Sequence, residues 1–268
     1  MRIAGLLDKL AVIARRDLLT AIRYRTGFAM AAVGGLMQLG AFYYLARAIG
    51  PGFRPQGVEY FPFVLVGTGL YTFMLMGIHS FLNVVQDAQR TGTLEVLMTT
   101  STPGPVLIFL SAISSFAGNT VQLFLYIAAG LLIFRAPLHA NLGGCFVVFA
   151  LSMAIAVAVG ILAAALQLAI QKGSAVVWLF GSGAWFLTGT LFPVATLPQP
   201  LRLAAKLIPI THSLDAMRLA LLQSAGFSAL AREIVVLTLF SVLLLPLSIA
   251  LFSHTLRRAR MQGTLSFY

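Results

Sequence analysis

Residues 90–105 read RTGTLEVLMTTSTPGP, and this polar segment separates two long apolar runs of the chain. Hydrophobic residues make up 59% of the 268 residues, and charged residues make up only 9%. Soluble domains are nearer to roughly 45–50% apolar and 25% charged residues. We therefore expect an integral membrane protein, in which short polar segments such as this one connect apolar helices.

The apolar runs on either side of this segment predict the number of membrane spans. A helix needs about 20 apolar residues to cross roughly 30 Å of hydrocarbon. Runs that lack Asp, Glu, Lys and Arg lie at 26–46, 61–82, 105–134, 142–170, 174–192 and 234–255. The third and fourth are longer than one span requires and should tilt or project into water, whereas the fifth is barely long enough. The sequence predicts an all-α membrane protein with one domain of six transmembrane helices and a tail at 256–268.

Basic residues predict the orientation of these spans. An even number of spans places both termini on the same side, and cytoplasmic segments are enriched in Lys and Arg. Eleven of the 18 basic residues then lie on the side of the termini: Arg2, Lys9, Arg15, Arg16, Arg23, Arg25, Arg90, Lys172, Arg257, Arg258 and Arg260. We expect both termini to be cytoplasmic. Span edges and anionic headgroups account for the net charge of +11, so membrane lipids, and not nucleic acid, are the expected partners.

Residues 1–25 predict an amphipathic helix at the cytoplasmic membrane interface. Apolar residues from Ile3 to Ala21 share one broad face at about 100° per residue, and most charged residues, including Arg15 and Arg16, fall on the other. Asp17 is the exception, because it falls within the apolar arc. Its carboxylate needs a partner, either a nearby arginine of this chain or the surface of another protein.

The segment 193–233 fits neither an exposed loop nor a span. It is too apolar for the former, and Pro193, Pro198, Pro200 and Pro209 interrupt it too often for the latter. Short helices that enter the membrane from outside and return would satisfy both facts, provided that protein shelters the irregular backbone. A pair of helices lying on the outer surface is the alternative. Asp215 and Arg218 are three residues apart and can pair on one such helix.

The segment that joins the second and third spans predicts a short cytoplasmic helix. Gly92 can cap its start, and Glu95 then stands at its third position, where a carboxylate favours the positive end of the helix dipole. Leu94, Leu97 and Met98 lie along one side at spacings of three and four. A structured turn without further function is the alternative interpretation.

Two amides in the third span are candidates for a transport pathway. Asn119 and Gln122 are three residues apart and share a helical face. Such amides commonly join membrane helices by hydrogen bonds, and they can also line a path for a polar group. Packing is the interpretation that the sequence favours.

Two motifs of this sequence resemble motifs of the membrane subunits of ABC type-2 exporters, and they occur in the same order as in that family. QRTGTLEVLMTTSTP resembles the family's cytoplasmic motif after the second span, with two extra residues, Ser101 and Thr102, before Pro103. FPVATLPQPLRLAAKLIPITHSLDAMR resembles its outer element. The positions of this outer element that match the family pattern include Phe192, Pro193, Pro198, Pro209, Thr211 and Arg218, with Asp215 between the last two.

This resemblance implies a function and a set of partners. Thr91, Gly92, Thr93, Leu94, Glu95, Leu97 and Met98 would form a coupling helix that docks on a separate ATPase subunit. The segment 193–233 would form re-entrant helices near the outer exit. Two permease subunits, identical or different, would face each other in a bacterial cytoplasmic membrane and export a lipophilic or amphipathic compound, such as a drug, a lipid or a lipid-linked glycan. ATP and Mg²⁺ would bind to the ATPase subunits.

Missing residue patterns bear on the other function classes. A P-loop requires Lys after Gly, but Lys9, Lys172 and Lys206 follow Asp, Gln and Ala, so we expect no nucleotide site, cofactor or metal on this chain. None of the seven acids lies within a predicted span, although ion-coupled transporters usually carry such residues. No HExxH or paired-acid site is present, which argues against an enzyme. A channel or carrier without energy coupling is the alternative function.

Overall fold

The computed structural model describes residues 25–93, 104–170 and 172–262, and these residues form helices without any strand. The longer helices are α1 (Arg25–Ile49), α2 (Tyr60–Arg90), α3 (Gly104–Leu132), α4 (Leu142–Ile170), α8 (Pro209–Leu222) and α9 (Phe227–Gln262). Between α4 and α8 lie the shorter helices α5 (Gly173–Trp178), α6 (Ala184–Leu187) and α7 (Gln199–Lys206). The predicted interfacial helix, with Arg15, Arg16 and Asp17, lies outside the described residues, as do Leu94, Glu95, Leu97 and Met98.

Helices occur at every predicted span, but they differ from the prediction in detail. In the described part of the chain, three helices are long and apolar enough to cross a membrane, namely α2, α4 and α9. The predicted fifth span is broken: α5 passes through a π-helical turn at Leu179–Gly183 into α6, which ends at Leu187 and not at Phe192. The last helix begins at Phe227, within the segment predicted to be re-entrant. An all-helical membrane protein is confirmed, while the count of six spans and the re-entrant path remain predictions.

Helix α4 lies at the centre and packs against α2, α8 and α9. Its buried face is rich in small residues, including Ala156, Ala163 and Ala164. At Gly160 a Cβ atom would lie only 2.9 Å from the Phe81 side chain of α2. Because small residues let membrane helices approach closely, this face of α4 sets the tight packing of the bundle.

The two ends of the bundle differ in their polar contacts. At one end, the Asn141 amide donates to the Ala220 carbonyl over 2.8 Å, and the Gln223 side chain donates to the Gln56 carbonyl over 3.0 Å. We call this the α8 end. At the opposite end, which we call the Arg90 end, Gln167 of α4 bonds to two glutamines of α2. The α8 end corresponds to the predicted outer side.

Candidate functional site

Among the residues that the structure describes, Arg218 of α8 is the largest side chain that is almost fully buried, with 1% of it exposed. Its guanidinium donates hydrogen bonds to the carbonyl oxygens of Phe63 (3.2 Å), Gly189 (2.8 Å) and Thr190 (2.9 Å). It also lies 3.5 Å from the centroid of the Phe63 ring. These contacts join α8 to the start of α2 and to the turn that follows α6.

Two glycines make room for this guanidinium. A Cβ atom on Gly67 would collide with Nη2 of Arg218 and would lie 2.6 Å from the Thr190 carbonyl oxygen. Gly189 has φ +77°, a left-handed conformation that glycine adopts without steric cost, and this turn presents its carbonyl to Arg218. Two glycines therefore determine the position of the arginine: Gly67 of α2 leaves space for the guanidinium, and Gly189 forms the turn after α6.

Asp215 lies one helical turn before Arg218, but no ion pair joins the two among the described residues. Its carboxylate accepts a hydrogen bond of 3.1 Å from the Gln56 side chain. The direct pair that the spacing allows does not form; the guanidinium instead donates to the backbone carbonyls of Phe63, Gly189 and Thr190. Burial lowers the pKa of Arg218 to about 9, and the charge of Asp215 opposes this shift, so the guanidinium is charged at neutral pH.

A second polar contact at the α8 end joins α8 to α9. Nδ1 of His212 lies 2.6 Å from a carboxylate oxygen of Glu233, and Nε2 lies 2.9 Å from the Lys206 carbonyl oxygen. The hydrogen bond to Glu233 raises the pKa of His212, against the opposing effect of burial. Both ring nitrogens of this histidine therefore have hydrogen-bond partners.

The remaining residues predicted for the outer element have different positions. Pro193 and Pro209 are buried, Phe192 is half-buried and Pro198 is exposed. Thr211 is buried, and its hydroxyl has no hydrogen-bond partner among the described residues. These residues lie at the α8 end of the bundle. Pro198 immediately precedes α7, and Pro209 begins α8.

A groove of about 200 Å³ lies between α1, α2 and α3. Its polar lining includes Gln38 of α1, Thr72 of α2, and Asn119, Gln122 and Tyr126 of α3. Gln38 and Thr72 are exposed, and Gln122 is half-buried. The structure thus brings both predicted pathway residues to one groove, together with three polar residues that the sequence analysis did not select.

The two predicted amides, Asn119 and Gln122, differ in their hydrogen bonding. The Asn119 side chain donates to the Ser80 hydroxyl over 3.2 Å, which joins α3 to α2. The Gln122 amide has no hydrogen bond within the described part of the chain, and neither do the side chains of Gln38 and Thr72. Asn119 therefore has a packing role, whereas the other three polar groups face the groove. Isolated polar residues in apolar runs were the signal that could have identified Gln38 and Thr72.

At the Arg90 end, the described part of the predicted coupling segment closes α2. Gly92 has φ +67°, which is typical of the residue that follows a helix C-terminus. The Thr91 hydroxyl donates to the Asp87 carbonyl over 2.7 Å and lies 2.8 Å from the Thr93 hydroxyl. Thr93 is already helical. Gly92 therefore sets the direction in which the chain leaves α2.

Three glutamines join the end of α2 to α4. Gln167 donates to Gln89 over 3.2 Å and accepts from Gln86 over 3.4 Å. Gln89 and Gln167 are each only 2% exposed. Leaving a buried amide without its partner costs free energy. These hydrogen bonds therefore hold the end of α2, which leads into the coupling segment, against α4. No sequence motif marks this cluster, since Gln167 is far in the chain from Gln86 and Gln89.

Within the described ranges, no three His, Cys, Asp or Glu side chains come together as they would in a metal site.

Comparison with known proteins assigns the family. The family model described as ABC-2 type transporter matches residues 8–222, from the predicted interfacial helix to the end of α8. No curated protein matches the chain. The match spans most of the chain, so this protein belongs to the ABC-2 type transporter family and is an integral membrane permease subunit of an ABC transporter.

Proposed function

We propose that the chain is the membrane subunit of an ATP-driven exporter and that the groove between α1, α2 and α3 forms part of the path for a lipophilic or amphipathic substrate. The observation that carries this proposal is the set of polar side chains at the groove, Gln38, Thr72 and Gln122, none of which has a hydrogen-bond partner in the described part of the chain. Polar groups are costly in hydrocarbon. Facing a wet path or a second permease subunit removes this cost.

The walls of the groove suit a substrate with a large apolar part. A neighbouring cavity of about 270 Å³ between α1 and α3 shares Gly35, Gln122 and Tyr126 with the groove and is otherwise mostly apolar. Together the two cavities offer a few polar contacts beside an extended apolar surface. Ligand sites for amphipathic compounds commonly combine these two properties.

Coupling to ATP hydrolysis is proposed to enter at the Arg90 end. The family implies association with ABC ATPase subunits. In the proposal, Thr91, Gly92, Thr93, Leu94, Glu95, Leu97 and Met98 dock on such a subunit, and residues around Arg15, Arg16 and Asp17 provide a second contact. Movement of the ATPase is passed to α2 and, through the glutamine cluster, to α4. Nucleotide and Mg²⁺ belong to the ATPase, and the α8 end faces away from the cytoplasm.

The proposal is tested with inside-out vesicles that contain the complex and a short-chain phospholipid carrying a fluorescent NBD group. Dithionite quenching reports which leaflet holds the probe. We expect ATP-dependent movement with the wild type, a loss of this movement with Glu95→Arg or Leu94→Asp, and normal membrane insertion of both variants. Movement by Glu95→Arg at the wild-type rate would refute the coupling role, and equal movement without ATP would favour a channel or carrier.

A further inference from the structure

A separate cavity of about 360 Å³ opens at the α8 end, between the end of α1, the loop after it, the start of α2 and the segment after α3. Three arginines line it: Arg47 at the end of α1, Arg54 in the loop, and Arg135 after α3. They come from three separate parts of the chain, and all three are exposed. The fold therefore brings together three cations that the sequence separates.

These guanidinium groups have no polar partner in the described parts of the chain. None of the three forms a hydrogen bond or an ion pair there, and Arg47 lies 6.0 Å from the centroid of the Tyr43 ring. Among the described residues, Glu59 is the one acid that lines the cavity, so this lining has an excess of positive charge. Their donors remain available to an anion.

The backbone at Arg135 shows that the arginine occupies an unfavourable position. Its φ is +51°, in the region where a residue other than glycine is uncommon. Glycine usually holds this conformation after a helix end, and the Ala136 amide donates to the Gly130 carbonyl over 3.2 Å around the turn. Such outliers cluster at functional sites, which suggests that the guanidinium here has a use.

Aromatic rings form an apolar wall beside the arginines. The Tyr43 ring centroid lies 5.4 Å from that of Phe61 and 5.1 Å from that of Phe134, and the latter two are 5.6 Å apart. All three residues line the cavity. A volume of this size lies within the range of small-molecule sites, about 300–1,000 Å³. The cavity can thus hold an anionic group on its cations and an apolar or ring-containing part on its aromatic wall.

We propose that this cavity binds the phosphate-bearing headgroup of an amphiphile, with the arginines on the phosphate and the aromatic wall against the adjoining part of the molecule. Guanidinium groups recognise phosphate through paired, charge-assisted hydrogen bonds. The site is distinct from the groove between α1, α2 and α3 and does not depend on coupling to ATP. Its position at the α8 end places it at the level where headgroups lie.

The test uses the purified full chain in a neutral detergent, titrated with dihexanoyl phosphatidylglycerol, dihexanoyl phosphatidylcholine or inorganic phosphate, with bound ligand counted by native mass spectrometry. The variant R47Q/R54Q/R135Q removes the three cations of the cavity. The matched control R202Q/K206Q/R232Q removes three cations at the same end that do not line the cavity. The single variant R47Q, at an exposed helix end, keeps the test usable if the triple variant does not fold.

We expect phosphatidylglycerol to bind the wild type and the control at least tenfold more tightly than it binds the cavity variant, and R47Q to weaken its binding severalfold. Phosphatidylcholine and inorganic phosphate should each bind the wild type at least tenfold more weakly than phosphatidylglycerol does. Phosphatidylcholine carries a cation that compensates its phosphate, and inorganic phosphate lacks a part for the aromatic wall. Equal losses in the two triple variants would reduce the effect to general surface charge and overturn the proposal. Inorganic phosphate binding as tightly as phosphatidylglycerol would overturn the amphiphile as the ligand.

Discussion

Replacing Arg218 by methionine should destabilise the protein strongly. Methionine has a similar length and an apolar character, but it cannot donate hydrogen bonds. The substitution leaves the carbonyls of Phe63, Gly189 and Thr190 without the guanidinium. It also removes the contact that joins α8 to α2 and to the turn after α6.

The size of the effect follows from these contacts. Hydrogen bonds to charged groups contribute about 1.5–3 kcal/mol each, so the three bonds together amount to roughly 4.5–9 kcal/mol. The burial of the charge opposes them, because the effective penalty for a buried ion is several kcal/mol. The net loss is about 2–4 kcal/mol. At about 2–4 °C per kcal/mol for a protein of this size, the midpoint of thermal unfolding should fall by roughly 4–16 °C.

Thermal unfolding of the purified chain in detergent, followed by intrinsic fluorescence, measures this shift. Arg202→Met is the matched control, since Arg202 also donates to two backbone carbonyls, those of Ala195 (2.6 Å) and Leu197 (3.1 Å), but it is exposed. Water can replace its bonds, so its midpoint should change by less than about 2 °C. A shift for Arg218→Met no larger than that of the control would refute the reasoning that burial makes these bonds matter.

Three further predictions concern single residues. Gly67→Ala should lower the unfolding midpoint by several degrees, because its Cβ would displace Arg218; an unchanged midpoint would contradict the close packing. The raised pKa of His212 means that its protonated form stabilises the folded state beside Glu233. This stabilisation is complete below the ordinary histidine pKa of about 6.5 and is lost as the pH rises through the raised pKa. The difference in midpoint between wild type and His212→Gln should therefore shrink from pH 5.5 to pH 8.5, and a difference that grows with pH would contradict the assignment. Asn119→Leu should lower the midpoint, whereas Gln122→Leu should leave it within about 1 °C and reduce ATP-dependent probe movement; the opposite pattern would exchange their packing and pathway roles.

Much of the helical architecture could be predicted from composition and run length. The apolar run at 142–170 coincides with α4, and the run at 61–82 lies within α2, which continues to Arg90. Membrane insertion depends on length and hydropathy, and both can be counted in a sequence. Helix ends were less predictable. Within the run at 174–192, the helix passes through a π-helical turn and ends at Leu187. Hydropathy carries no signal for such a local change in hydrogen bonding.

The candidate site was predictable in its residues but not in its contacts. Arg218 could be selected from the motif, yet its partners are backbone carbonyls, which every residue has and no motif marks. The direct pair with Asp215 followed from helical spacing alone, whereas in the folded chain the guanidinium bonds to backbone carbonyls of α2 and of the turn after α6. Similarly, Arg47, Arg54 and Arg135 lie far apart in sequence, and only the packing of α1 against α2 and α3 brings them to one cavity.

The most direct test of the central claim is affinity purification of the tagged chain from its native membranes, with identification of stoichiometric partners and an assay of ATP hydrolysis. A Glu95→Arg chain is purified alongside, and Arg232→Gln serves as a charge-changing control at the opposite end. The account predicts that a P-loop ATPase is recovered with the wild type and the control, and that its recovery and the hydrolysis rate fall with Glu95→Arg. Recovery of no ATPase, under conditions that keep other membrane complexes intact, would contradict the account.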